Sequence, residues 1–195
     1  MRLGEDALDL IFRNARSHDA WLDRDVDDAQ LHQLVDLMKM GPTTANSQPI
    51  RIRFLRSRAA KLRLRPHLMA GNVDKVMTAP VCAILAYDTL FYDRLGELYP
   101  AAPDARSWFA GDQAAADVHA LRNSSLQGAY FIIAARSLGL DTAPMSGFSN
   151  AAVDKEFFPG GSVRSNFLCA LGHGDAARLP PASPRPHFDD LADIL

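Results

Sequence analysis

The sequence has little of what would assign a function at first sight. Its 195 residues include two cysteines, Cys82 and Cys169, and each lies within an apolar run. This position is typical of buried, reduced thiols rather than of a disulfide or a metal-binding pair. The six histidines are scattered, with no pair at the spacing of a helix-borne metal site. We therefore expect no bound metal and no disulfide.

Several function classes lose support because their motifs or charge are missing. There is no P-loop, no G-x-S-x-G and no G-x-G-x-x-G pattern, which disfavours phosphoryl transfer, acyl hydrolysis and a Rossmann domain. The formal net charge of −2 disfavours nucleic acid as a partner. Because the chain has no basic-then-apolar leader and no run of membrane-spanning length, we expect a cytoplasmic protein that binds no membrane.

The composition is typical of one globular domain with a substantial core, since 48% of the residues are hydrophobic and 23% are charged. A helix is predicted over 27–40, because Asp27 and Gln30 fit a capping box and apolar residues follow at helical spacing. Gly41 is then expected to adopt the left-handed conformation that ends many helices. An earlier helix is predicted over 6–16.

The remaining apolar patterns predict a central sheet with helices on both sides. Apolar residues and arginines alternate over 50–54, which predicts a strand with one wet face, whereas the apolar run 81–87 predicts a strand covered on both faces. Segment 112–138 predicts a long helix that ends at Gly139 and is buried in the core or against a second subunit. A last strand is predicted over 163–171, and the proline-rich tail after it is expected to lie extended over a neighbour.

Three polar segments stand beside these apolar ones: 41–49 (G-P-T-T-A-N-S-Q-P), 72–75 (N-V-D-K) and 144–148 (P-M-S-G-F). Together they offer backbone N–H groups, carboxamides, hydroxyls and one ammonium. This set suits a flat, anionic, hydrogen-bonding ligand such as flavin mononucleotide (FMN). Each segment also has a simpler interpretation: a capped turn for 41–49, a solvated lysine for Lys75 and a plain glycine turn for 144–148.

Different residues would contact different parts of FMN. Lys75 lies three residues after Asn72 at the start of a predicted helix, where its ammonium could donate to the anion that forms at N1–C2=O of a reduced flavin. The peptide between Ser146 and Gly147 could bring a backbone N–H close to flavin N5, where a side chain would block hydride transfer. Candidates for the phosphate end are Arg16, Ser17, His18 and Arg185, and candidates for the ring edge are Thr43, Thr44, Asn46, Ser47 and Gln48.

In this order and spacing, the three segments resemble the FMN-dependent nitroreductase family. The branch that contains the malonic semialdehyde reductase of pyrimidine degradation is also similar at 104–109, 122–125 and 138–141. The resemblance implies an α+β fold, with a central mixed or antiparallel sheet flanked by helices. It further implies one domain over residues 1–195 and a domain-crossing homodimer, with the tail 178–195 extending over the partner subunit.

The resemblance also implies that FMN binds at the interface between two subunits. Arg16, Ser17 and Arg185 would hold the phosphate, and Asn72 and Lys75 would meet the ribityl and pyrimidine side. The residues along the N5 face would be Pro144, Met145, Ser146 and Gly147, and those from the other subunit would be Pro42, Thr43, Thr44 and Asn46. No side chain is expected to act as a nucleophile, because the flavin itself carries the hydride.

The chain departs from the family pattern at three places. His18 and Asp19 stand where the family often has a second basic residue. Ser183 stands where another is common near Arg185, and Ser146 replaces a frequent glutamate. We therefore expect the phosphate end of FMN to be held less tightly than in other members.

The implied chemistry is that of an FMN-dependent NAD(P)H oxidoreductase with NADH or NADPH as donor. The branch implies malonic semialdehyde as the acceptor, reduced to 3-hydroxypropionate. For this substrate we expect Arg106 to grip the carboxylate from a lid that also carries Trp108 and Phe109. Two alternatives stay open: a broad-specificity nitroaromatic, quinone or enone reductase, and a flavin-binding dimer without turnover.

Overall fold

The computed structural model describes residues 2–195, and a four-stranded antiparallel sheet lies at its centre. The strands are β1 (Ile50–Leu55), β2 (Val81–Asp88), β3 (Asp141–Met145) and β4 (Val163–Gly172), in the spatial order β1-β2-β4-β3. The three strands expected over 50–54, 81–87 and 163–171 are confirmed, and every pairing is antiparallel. The third strand, β3, includes Pro144 and Met145, for which a plain glycine turn was one interpretation of the sequence. Proline is tolerated there because β3 is an edge strand.

Eight α-helices surround the sheet within the described residues. They are α1 (Glu5–Leu8), α2 (Asp28–Met38), α3 (Arg58–Leu64), α4 (Ala70–Thr78), α5 (Leu95–Leu98), α6 (Ser107–Ala110), α7 (Gln113–Ser137) and α8 (Asn150–Phe157). The predicted capping box of α2 is present, with Asp27 and Gln30 bonding each other's backbone amides. The first helix is shorter than predicted: α1 continues only as a π-helical turn to Arg13, so that Arg16 lies beyond it.

The sheet separates two apolar layers, as the patterns predicted. One face packs against α2 and α7, and the other packs against α3, α4 and α8. Cys82 faces the second layer and Cys169 faces the first, so the sheet keeps these two buried thiols apart. Both are free, as expected.

A third, smaller cluster stands off the sheet on the N-terminal half of α7. We call residues 89–112 the lid segment; it contains α5 and α6. Phe91, Tyr92, Leu95 and Ala105 of this segment pack against alanines of α7. The lid segment therefore has an apolar core of its own.

Gly41 does not have the predicted left-handed conformation. The glycines with positive φ are Gly139, at 72°, and Gly161, at 80°. A Cβ atom at Gly41 would instead lie 2.6 Å from Cγ of Tyr130 in α7, so glycine is needed there for close approach. Gly139 does follow α7 with positive φ, as expected of the residue that ends that helix.

Several large apolar side chains of α7 remain exposed in the single chain. They form a stripe made of Val118, Leu121, Leu126 and Tyr130. The tail from residue 180 onward is likewise exposed along its length. No helix within residues 2–195 is long and apolar enough to cross a membrane.

Candidate functional site

An extended segment, residues 16–22, lies along the outer edge of β3, and we call it the strap. Ser17 forms a parallel bridge with Thr142, and the His18 amide donates to the Thr142 carbonyl at 3.2 Å. Further along, Trp21 forms an antiparallel bridge with Gly174. These bonds place Arg16 and Ser17 beside the sheet edge.

The strap also contacts α4, which carries two of the predicted cofactor residues. The Trp21 indole donates to the carbonyl of Lys75 at 3.2 Å, and the Lys75 ammonium lies 2.8 Å from an Asp19 carboxylate oxygen. On the same helix, Asn72 Nδ2 donates to the Gly147 carbonyl at 3.0 Å. The strap, α4 and residues 144–147 are therefore brought together, and we call them the first half-site.

Gly147 lets the backbone approach α4 closely. A Cβ atom there would lie 2.5 Å from Asn72 Nδ2 and 3.2 Å from Met69 Sδ. The Met69 amide donates to the Gly147 carbonyl at 2.9 Å, so the loop is held by Asn72 of α4 and by the residue that precedes this helix. A cavity of about 370 Å³ opens beside it and is lined by Pro144, Met145, Ser146, Phe167, Ser125, Ala129 and Ile132. A mostly apolar lining with a few polar groups is typical of small-molecule sites.

The second half-site is the loop 42–48, which precedes β1. Ala45, Asn46 and Gln48 have φ values of 50°, 48° and 43°, which non-glycine residues seldom adopt. Three such residues within four positions mark a backbone that its surroundings hold in a strained form. A crevice of about 640 Å³ lies beside this loop.

Two buried carboxamides of α7 hold the second half-site, and the sequence analysis missed both. Asn123 Oδ1 accepts from the Thr44 amide at 2.9 Å. Gln127, which is 0% exposed, accepts from the Ile50 amide at 3.1 Å and donates to Gln48 Oε1 at 2.5 Å. The available signal was that these carboxamides recur at helical spacing with Ala116, Ala120 and Phe131.

The two half-sites lie at opposite edges of the sheet. Loop 42–48 leads into β1 at one edge, and the strap lies beside β3 at the other edge. Strands β2 and β4 lie between them. Three strand spacings separate the two edges, about 14 Å in all. Within one chain, the two half-sites therefore lie on separate edges.

Two of the predicted phosphate residues, His18 and Arg185, contact groups of their own chain. The His18 side chain is 5% exposed, its Nε2 lies 3.4 Å from Oδ1 of Asp141, and its ring packs against the backbone of Gly174. Its side chain is thus part of the interior. Arg185 donates to the carbonyls of Ser183 and Pro184 in its own exposed segment.

Arg16 lies where the tail begins. Its guanidinium donates to the carbonyl of Pro180 at 2.6 Å. The first half-site and the start of the tail are therefore in contact. Within the described residues, however, no hydrogen bond joins Arg185 to the strap.

The three residues predicted to bind substrate lie on the lid segment but differ in their surroundings. Arg106 Nε donates to Asp93 Oδ1 at 2.8 Å, and its guanidinium lies 5.5 Å from the Tyr92 ring centroid. Phe109 packs inside the lid core, whereas Trp108 is 54% exposed. Of the three, Trp108 and the pair of Arg106 with Asp93 offer accessible surface.

The lid segment is tied to the second half-site. Asn46 Nδ2 donates to the Leu98 carbonyl at 2.9 Å, and Ala45 packs against the lid cluster. The lid and loop 42–48 therefore form one surface. A ligand held at this half-site would meet the lid of the same chain.

A central antiparallel sheet with polar half-sites on its two edges defines an α+β protein with two separate candidate ligand surfaces in each chain. The model of the nitroreductase family matches residues 13–173, so the chain belongs to the nitroreductase family. The resemblance and the fold class predicted from the sequence are thereby confirmed.

Similar proteins agree with this assignment. A Burkholderia lata protein named as an NADH dehydrogenase/NAD(P)H nitroreductase is 56% identical over 192 residues, which is 98% of each chain. HadB of Ralstonia pickettii, with the same description, is 56% identical over 190 residues, 96% of this chain and 97% of its own. The structure of a nitroreductase from Exiguobacterium sibiricum in complex with FMN superposes with a TM-score of 0.84 at 20% identity, covering 100% of this chain and 99% of that one.

Proposed function

We propose that this protein is an FMN-dependent NAD(P)H oxidoreductase that acts as a homodimer. The observation that carries this proposal is the separation of the two half-sites on opposite edges of one sheet. A second copy related by a two-fold axis would bring its loop 42–48 against the strap of the first, and would complete two equivalent sites. Membership of the nitroreductase family supports the cofactor, and the names of the relatives support NADH or NADPH as the donor.

The exposed stripe of α7 supports the dimer. Leu121, Leu126 and Tyr130 lie on the helix that also anchors loop 42–48, and they are exposed in the single chain. Several large apolar side chains exposed on one helix are typical of an interface between proteins. The exposed tail would extend over the same partner, starting from its contact with Arg16.

The first half-site supplies groups that fit FMN. Arg16 and Ser17 would bind the phosphate, because a guanidinium makes charge-assisted bonds to phosphate oxygens. Asn72 would orient the ribityl and pyrimidine side, held in turn by the Gly147 carbonyl. Lys75 would place a positive charge at the pyrimidine edge, and Gly147 would leave the N5 face open. Bound FMN would accept a hydride from the nicotinamide and pass it to the second substrate.

For the acceptor we propose malonic semialdehyde, which would be reduced to 3-hydroxypropionate. Arg106 supports this choice, because it sits on the lid tied to the second half-site and could exchange Asp93 for the carboxylate of the substrate. Under this proposal Arg106→Ala raises the Michaelis constant for a carboxylated aldehyde and leaves that for an uncharged quinone unchanged. Equal effects on the Michaelis constants of both substrates would show that Arg106 does not bind the carboxylate.

A broad nitroaromatic, quinone or enone reductase is the second candidate. The observation in its favour is that Asp93 already neutralises the Arg106 guanidinium, which leaves an aromatic lid suited to uncharged rings. Anaerobic oxidation of NADPH with malonic semialdehyde or with a nitroarene separates the two candidates. Turnover with neither would leave a flavin-binding dimer.

The dimer and the cofactor can be tested together. We expect purified protein, supplied with FMN, to be yellow and to run as a dimer. Leu126→Lys places a charge within the α7 stripe and is expected to yield colourless monomer. Leu62→Lys, on an exposed position of α3, is the matched control and should keep both properties. A wild-type monomer that fails to bind FMN would refute the proposal.

A further inference from the structure

The carboxylate of Asp19 lies on a part of the strap that backbone hydrogen bonds hold on both sides. Before it, the His18 amide donates to Thr142; after it, the Ala20 carbonyl accepts from the Asp175 amide at 3.0 Å. Both partners belong to β3 or to the segment that follows β4. Asp19 therefore sits at a fixed position while its side chain remains 60% exposed.

The ammonium that Asp19 meets is fixed as well. Lys75 lies within α4, and its carbonyl accepts from the Trp21 indole two residues further along the strap. The Asp19 to Lys75 distance of 2.8 Å thus joins two positioned residues rather than two free side chains. The strap thus places a negative charge against the Lys75 ammonium.

We propose that Asp19 is a positioning residue that lowers the reduction potential of the bound flavin by holding Lys75. The inference rests on the proposed function, since it requires FMN at the first half-site. Asp19 orients the ammonium toward the strap and neutralises part of its charge. Less positive charge is then available to the pyrimidine edge, where negative charge accumulates on reduction. A flavin beside such a neutralised lysine is harder to reduce and gives up its hydride more readily.

The substitution Asp19→Asn tests the proposal because it removes the charge and keeps the size. Exposed ion pairs contribute little to stability, so we expect the variant to fold and dimerise. With Lys75 released, the ratio of reduced to oxidised FMN at a fixed potential should rise about tenfold, equivalent to about +30 mV for a two-electron couple. The measurement is a redox titration of the FMN-loaded dimer, followed by flavin absorbance.

Asp74→Asn is the matched control. Asp74 is exposed and precedes Lys75 on α4, while the ammonium of Lys75 pairs with Asp19 instead. The control therefore removes the same charge close to the same helix without breaking the pair. We expect its shift to be much smaller than that of Asp19→Asn.

A double-mutant cycle decides whether Asp19 acts through Lys75. In a Lys75→Met background, Asp19→Asn should leave the potential of the flavin unchanged. An equal shift with and without Lys75 would mean that Asp19 acts on the flavin directly, and would overturn the proposal. A wild-type dimer that binds FMN but shows equal shifts for Asp19→Asn and Asp74→Asn would overturn it too, while leaving the proposed function intact. Failure of the wild-type protein to bind FMN would overturn both.

Discussion

The side chain of Gln127 donates to Gln48 at 2.5 Å and accepts from the Ile50 amide at 3.1 Å, so one buried carboxamide connects α7 to the loop that precedes β1. Gln127→Met keeps the size of the side chain but leaves the Ile50 amide without its partner. Because an unsatisfied buried donor costs about 1–3 kcal/mol, we expect the free energy of unfolding to fall by that amount. Urea denaturation gives the measurement.

The control for this substitution is Gln33→Met on the exposed face of α2. Exposed substitutions of this kind change stability by no more than about 0.5 kcal/mol. We also expect Gln127→Met, unlike Gln33→Met, to weaken FMN binding, since the strained loop loses a support. Equal stability of the two variants would contradict the role assigned to Gln127.

Gly147→Ala tests the close approach between the 144–147 segment and α4. The new Cβ atom would lie 2.5 Å from Asn72 Nδ2, so the carboxamide must move and its bond to the Gly147 carbonyl is lost. We expect the dissociation constant of FMN to rise about tenfold, which corresponds to about 1.4 kcal/mol. Titration of the apoprotein with FMN, followed by flavin fluorescence, measures the change.

Gly71→Ala serves as its counterpart on the same helix. No heavy atom lies within 4 Å of a Cβ atom at Gly71. Alanine there should stabilise α4 by up to about 1 kcal/mol and leave FMN affinity unaltered. Weakened binding in this variant but not in Gly147→Ala would show that the cofactor does not lie against Gly147.

The two thiols are expected to be inert in the folded protein. Burial raises the pKa of Cys82 to about 12 and raises the pKa of Cys169 as well, so neither forms the reactive thiolate near neutral pH. A thiol reagent at about pH 8 should label neither cysteine until denaturant is added. Rapid labelling of native protein would show that the sheet opens locally at β2 or β4.

His119 couples the stability of the lid segment to pH. Its ring stacks on Phe91 at a centroid distance of 5.4 Å, and burial lowers its pKa below the ordinary value. In the unfolded chain the imidazole takes up a proton at about pH 6.5. In the folded protein, protonation of the same imidazole requires a lower pH. Stability should therefore fall as the pH decreases through that value, with a slope of at most about 1.4 kcal/mol per pH unit for this group.

His119→Phe should reduce this pH dependence while keeping the aromatic packing. Part of the dependence should remain, because burial also lowers the pKa of His173. The test compares urea denaturation of variant and wild-type protein at about pH 7.5 and about pH 5.5. The same loss of stability in both proteins would show that His119 is protonated equally in the folded and unfolded states.

Local patterns in the sequence were sufficient for the main elements. The capping box of Asp27 and Gln30 gave the start of α2, and the apolar run from Val81 gave a strand covered on both faces. Such signals depend on periodicity and on neighbours within one or two turns, so they can be recognised without knowing the partner elements. The three polar segments were recognised for the same reason.

Other features depend on residues far apart in the chain. The role of Gly41 is set by Tyr130, and the place of His18 in the interior is set by Asp141 and Gly174. Asn123 and Gln127 bond loop 42–48 only because α7 packs beside it. In each case the partner residue cannot be deduced from the local pattern.

The amino-acid order alone thus specified α2, α7 and three of the four strands, because these follow from short-range hydrogen bonding and burial. It did not specify that the strap and loop 42–48 lie at opposite edges of the sheet. That arrangement follows from the strand order β1-β2-β4-β3, which is selected by the summed packing of two apolar layers against α2, α7 and the helices of the opposite face. The separation of the two half-sites within each chain is therefore a property of the tertiary structure.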